Sequence, residues 1–232
     1  MTSHVAHLDM RSGGLRASIF GVSDGLVSNV SLVLGTSGAH PGGGFVRLAG
    51  LAGLLGGSFS MAAGEYVSMR AQREVFERQL DLERGELARV PESEQRELEL
   101  IYEHRGMSPD VAAVVARELM ANPRTALETH AREELGIDPN ALGSPFKAGL
   151  ASFLTFGLGA FVPLAPFLGG SSGNDALFIS IGSAGVLALV VGALLSIFTA
   201  RSWYWSGLRS LAICAAAGAV TYGIGSVIGV AG

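Results

Sequence analysis

Five apolar stretches, each about as long as a lipid hydrocarbon core is thick, constrain this chain more than any other feature. They cover residues 17–37, 46–69, 148–168, 176–199 and 208–230. A helix needs roughly 20 mostly apolar residues to cross a bilayer. The expected fold class is therefore an all-α membrane protein with five transmembrane helices. Composition agrees, at 49% hydrophobic and 16% charged residues with a mean hydropathy of +0.42, too apolar for an ordinary soluble domain.

Charge is concentrated in one place. Asp9, Asp24, Glu65 and Asp175 are the only acids outside residues 70–147, so 16 of the 20 acids lie inside that segment. Three regions are expected: 1–69 with spans one and two, a polar helical insert at 70–147, and 148–232 with spans three to five. Pro91, Ser108-Pro109 and Asn122-Pro123 each read as a helix start, and Gly136 reads as the end of the last insert helix. Cys214 is the one cysteine, so no intrachain disulfide is possible, and its apolar surroundings suit a small buried residue. His4, Asp9 and Arg11 interrupt the N-terminus, which does not read as a signal peptide.

Basic residues set the orientation. Arg11 and Arg16 precede the first span, Arg70 and Arg73 follow the second, Lys147 precedes the third, and Arg201 and Arg209 bracket the last connection. By the positive-inside rule the N-terminus and the insert are cytoplasmic and the C-terminus is outside. Trp203, Tyr204 and Trp205 suit an aromatic interface belt. The expected setting is a multi-pass integral protein of a bacterial-type inner membrane. The lipid bilayer is its expected surrounding, and no nucleic-acid partner is expected.

Asp24 stands in the first apolar run, where no other charge occurs. A carboxylate at the centre of a membrane helix costs about 2.5–3.5 kcal/mol on insertion scales. Two functional roles fit it: ligating an ion, or carrying a proton in exchange for one. A plain alternative is an interhelical hydrogen bond to Asn29 or a serine. In the second span Met61, Glu65 and Met69 recur every four residues and share one helix face. Carboxylate with thioether suits a borderline ion such as Fe²⁺, Mn²⁺, Co²⁺ or Zn²⁺ better than Mg²⁺ or Ca²⁺. Glu65 is also a proton-coupling candidate. Pairs of small residues four apart, Gly21/Gly25, Gly53/Gly57 and Gly225/Gly229, read mainly as close helix packing, with Gly25 also a place to expose backbone to an ion.

In the insert, Glu83 and Glu86 share a helix face, as do Glu94 and Glu97. A short turn between their helices brings four carboxylates together, and Glu134 adds a fifth. Such a cluster binds cations, and protons compete as pH falls toward ordinary carboxylate values of about 4. Solvated Glu-rich faces neutralised by Arg78, Arg84, Arg89 and Arg96 are the plainer reading. His130 reads as a helix-surface histidine.

At these residues the chain resembles the vacuolar iron transporter family, with its bacterial and nodulin-like members. The matching stretches are Ser23-Asp24-Gly25, Ser60-Met61-Ala62, Gly64-Glu65-Tyr66-Val67-Ser68 and the charged insert, in the same order of spans. The resemblance implies a homodimer that exports Fe²⁺ from the cytosol against protons. It also implies a cytosolic metal-collecting cluster at Glu83, Glu86, Glu94, Glu97 and Glu134, and pore positions at Asp24 and Met61. Metal is then cargo, and no cofactor is implied. Plant members carry a methionine pair where this chain has His130 and Ala131, which leaves His130 open as a ligand in place of one thioether beside its plainer surface reading, and a carboxylate where it has Gly53.

Other classes fit less well. A membrane-tethered metal-binding or storage protein has no use for Asp24. An enzyme is not expected: a diiron site needs two Glu-x-x-His pairs, which the sequence lacks, and there is no nucleophile elbow.

Overall fold

The computed structural model describes residues 13–39, 42–169, 174–199 and 202–231. Arg11, Arg201, the side chain of Arg16 and the connections at 40–41 and 170–173 lie outside the described residues. Among the described residues eight helices follow in order: α1 Gly13–Ala39, α2 Gly43–Arg89, α3 Pro91–His104, α4 Pro109–Met120, α5 Pro123–Glu133, α6 Pro145–Leu168, α7 Asn174–Thr199 and α8 Trp203–Ala231. Five of them are long and apolar enough to cross a membrane: α1, α2, α6, α7 and α8. The all-α class with five spans is thus what the chain adopts. Helix α2 runs unbroken through Gly85 to Arg89.

The chain divides into two compact units, Met1–Val67 with Pro145–Gly232, and Ser68–Ser144. In the first unit α1 packs against α6, α8 and α7. Leu26, Val30 and Leu34 of α1 form a core with Ala184, Ala188 and Cys214. The cysteine is buried, as its apolar neighbours suggested.

Glycine sets how closely these helices approach. A Cβ on Gly25 would land on the carbonyl oxygen of Phe156, and one on Gly159 would land on that of Val22. A Cβ on Gly225 would meet the carbonyl of Gly35 in the same way. Gly25, Gly159 and Gly225 thus sit at backbone-to-backbone contacts, whereas Gly53 and Gly57 face the side chains of Leu32, Asn29 and Phe156. Gly25 is filled by α6, so it does not offer backbone to an ion. Asn29 bonds across the same crossing, its Nδ2 donating to the carbonyl of Ala160 at 2.6 Å.

The second unit is built from local signals. Pro91 opens α3 and Ser108-Pro109 opens α4. Asn122 caps α5, its side chain accepting from the amides of Arg124 at 2.9 Å and Thr125 at 3.3 Å. Past the end of α5, Gly136 takes φ +66° and the amide of Ile137 bonds back to the carbonyl of Ala131. That is the left-handed glycine stop a helix C-terminus favours.

Candidate metal site

The acids of the second unit converge. Glu83 on α2 and Glu94 on α3 are buried, and Glu134 follows the last turn of α5. The Glu83 carboxyl is pushed up from the ordinary 4.5 to about 7, first by burial and then by the charges of Glu134, Glu94, Glu86 and Glu97. Burial, then Glu97, Glu86 and Glu134, raises Glu94 as well. The charges of the other four acids singled out in the sequence therefore all act on Glu83. Proton competition at Glu83 sets in near neutral pH, well above the range near 4 expected of ordinary carboxylates.

Three of the four arginines offered by the sequence are engaged elsewhere. Arg84 is engaged by Asp81 and Arg96 by Glu99, at 2.5 Å and 2.8 Å, and Arg89 donates to the carbonyl of Gly85.

His130 departs from its surface reading. It lies not on the surface but at zero exposure, in the middle of the acids. Its Nδ1 is 3.2 Å from Glu83 Oε1, 3.7 Å from Glu134 Oε2 and 3.9 Å from Glu94 Oε2. Glu83, Glu94 and His130 each offer one potential ligand atom, all within 4.8 Å of one another. Among the described residues, Glu83 Oε1, His130 Nδ1 and His130 Nε2 are buried without a hydrogen-bond partner. The 3.2 Å contact between His130 and Glu83 is close, but its alignment is not that of a hydrogen bond. A signal for His130 does exist in the sequence. Ala126, His130 and Glu134 follow at steps of four, which puts His130 on the inward face of α5 beside the buried Ala126.

In the membrane-span unit, Asp24 on α1 is exposed on the protomer, and Met61 and Glu65 on α2 are half-buried. Asn29 bonds Ala160 and not Asp24. Among the described residues Asp24 has no hydrogen bond or ion pair. Met69 belongs to the other unit, where its methyl group packs against Gly143. Its position is explained by packing.

Residues 15–226 match the VIT family. The chain belongs to that family. The vacuolar iron transporter of Acanthamoeba castellanii is 37% identical over 223 residues, covering 92% of this chain and 78% of that protein. Vacuolar iron transporter 1 of Oryza sativa subsp. japonica is 30% identical over 214 residues, with 92% and 85% covered. Vacuolar iron transporter 1 of Arabidopsis thaliana is 31% identical over 218 residues, with 92% and 86% covered. Membership in the VIT family agrees with the resemblance carried by Asp24, Met61 and Glu65.

Proposed function

We propose that this VIT-family chain is a proton-coupled exporter of a divalent transition metal, Fe²⁺ first among them, out of the cytosol. Residues 70–147 serve as its cytoplasmic metal-collecting part, through Glu83, Glu86, Glu94, Glu97 and Glu134. The observation that carries the reading is the gathering of these acids around Glu83, whose carboxyl is pushed up to about 7 by burial first and by their charges next. Like charges so close repel, and a bound cation relieves that repulsion. The names of the relatives, vacuolar iron transporters, support iron as the cargo. Mn²⁺, Co²⁺ and Zn²⁺ share its ligand chemistry.

Metal collected by the insert passes to Asp24, Met61 and Glu65, which line the route through the membrane. Asp24 and Glu65 then take protons from the far side as the metal leaves them. Two features support a homodimer around this route. Asp24 is exposed on the single protomer in a span that would otherwise face lipid. On α2, a Cβ at Gly56 or Gly64 would meet nothing within 4 Å, which leaves room for a second copy.

Reconstitution into proteoliposomes tests the reading. Fe²⁺ flux is measured under anaerobic conditions with the receiving side acidic, neutral or alkaline. Flux is expected to rise as that side becomes acidic. Asp24→Asn is expected to abolish flux without loss of folding, since Asp24 makes no contact that the protomer needs. Glu65→Gln is expected to lose the pH dependence. Flux indifferent to the gradient would point to a uniporter. Metal binding without any flux would point to a tethered binding protein.

A further inference from the structure

We propose that His130 is a nitrogen ligand, so that the collecting site is a mixed imidazole–carboxylate centre formed by Glu83, Glu94 and His130, with Glu134 at its edge. This rests on the reading of the insert as the metal-collecting part, and it says which ions that part selects.

The spacing carries the inference. Bonds from a first-row divalent ion to nitrogen or carboxylate oxygen are about 2.0–2.2 Å long, which puts adjacent ligand atoms about 3.0–3.4 Å apart and opposite ones about 4.2 Å apart. From Nδ1 of His130 the three carboxylate oxygens lie at 3.2, 3.7 and 3.9 Å. The first is an adjacent-ligand separation, and the other two lie between the adjacent and the opposite ones, so all three oxygens are within the span of one coordination sphere around His130. An imidazolium–carboxylate hydrogen bond is shorter, about 2.7–2.9 Å, and aligned. The closest contact here is neither.

The lack of partners points the same way. Both ring nitrogens of His130 and Oε1 of Glu83 are buried with no hydrogen-bond partner. A buried polar atom left unpaired costs about 1–3 kcal/mol. His130 holds up no neighbouring backbone, and its ring fills a position that Leu or Met would fill without that cost. A cation between Nδ1 and the carboxylate oxygens satisfies Nδ1 and Glu83 Oε1 at once.

Imidazole changes which ion is preferred. Carboxylates alone suit Mg²⁺, Ca²⁺ and Mn²⁺, whereas a nitrogen donor raises affinity along the series from Mn²⁺ through Fe²⁺ and Co²⁺ toward Zn²⁺. The site is therefore selective for Fe²⁺, Co²⁺ and Zn²⁺ over Mg²⁺ and Ca²⁺, the abundant cations of most cells.

The test uses the full-length, untagged protein in detergent micelles. Binding of Co²⁺, Zn²⁺, Mg²⁺ and Mn²⁺ is measured for the wild type, His130→Gln and Glu83→Gln. His130→Gln is expected to lose about tenfold or more in Co²⁺ and Zn²⁺ affinity, and much less for Mg²⁺. Pulsed EPR of the Mn²⁺-loaded wild type is expected to show nitrogen hyperfine coupling. That coupling must survive when His4, His7, His40 and His104 are all changed to Gln, which keeps the proposal testable even if His130→Gln misfolds. Wild-type Co²⁺ affinity in His130→Gln, or no nitrogen coupling in the four-histidine variant, overturns the ligand assignment and leaves an all-oxygen site. Equal metal binding by wild type and Glu83→Gln instead removes the collecting cluster itself, and this inference with it.

Discussion

Replacing Glu83 with glutamine is expected to stabilise the metal-free insert at alkaline pH and to leave it unchanged in acid. The Glu83 carboxyl sits near pH 7 in the folded chain and near 4.5 when exposed. A raised native value means that the folded chain holds the proton more tightly than the unfolded one. The associated stability is complete below pH 4.5 and is lost as pH rises through 7. At 1.36 kcal/mol for each pH unit, ionising Glu83 costs the metal-free insert about 3 kcal/mol between pH 4.5 and pH 8. Glutamine keeps the shape and stays neutral throughout. Amide hydrogen exchange in α3 and α5 reads the difference directly, with wild type and variant compared at each pH so that intrinsic exchange rates cancel. Exchange at pH 8 should be about a hundredfold slower in Glu83→Gln, with the gap closed at pH 4.5. Added Fe²⁺ or Co²⁺ should slow exchange in the wild type and not in the variant. A wild type as well protected as the variant at pH 8 would mean that Glu83 ionises without cost, with His130 as its counter-ion. The argument for a cation-seeking cluster would then fail.

Three further outcomes follow from helix packing and capping. Gly25→Ala should cost about 3 kcal/mol and lower the thermal midpoint in detergent by roughly 5–10 °C, because the new Cβ meets the Phe156 backbone, which has no rotamer to yield. Gly182→Ala, where a Cβ meets nothing within 4 Å, should leave that midpoint unchanged. Asn122→Ala removes the cap of α5 and should cost about 1 kcal/mol, seen as faster exchange at the Arg124 and Thr125 amides.

The fold was largely legible because its determinants are local. Apolar runs of span length, and Pro91, Ser108-Pro109 and Asn122-Pro123 at helix starts, need no knowledge of the neighbours. The acid cluster was legible for the same reason, since spacing of three puts Glu83 with Glu86 and Glu94 with Glu97 on shared faces whatever surrounds them. Contacts between helices were not. Nothing about Gly25 itself reveals that the carbonyl of Phe156 fills the place of its Cβ. Nor does Asn29 announce that its amide reaches across to Ala160 instead of back toward Asp24.

His130 falls between these cases, and the reason is the size of its neighbours. The inward face of α5 is marked by Ala126 and Ala131, and alanine is too small to draw an apolar stripe that a reader would trust. A histidine beside leucines reads as buried, and one beside alanines reads as exposed. Yet Ala126, His130 and Ala131 are buried together on α5, and from that face the His130 ring lies 3.2 Å from Glu83 on α2 and 3.9 Å from Glu94 on α3. Burial on that face follows from what α5 meets across the fold, which the spacing of small residues along α5 does not carry.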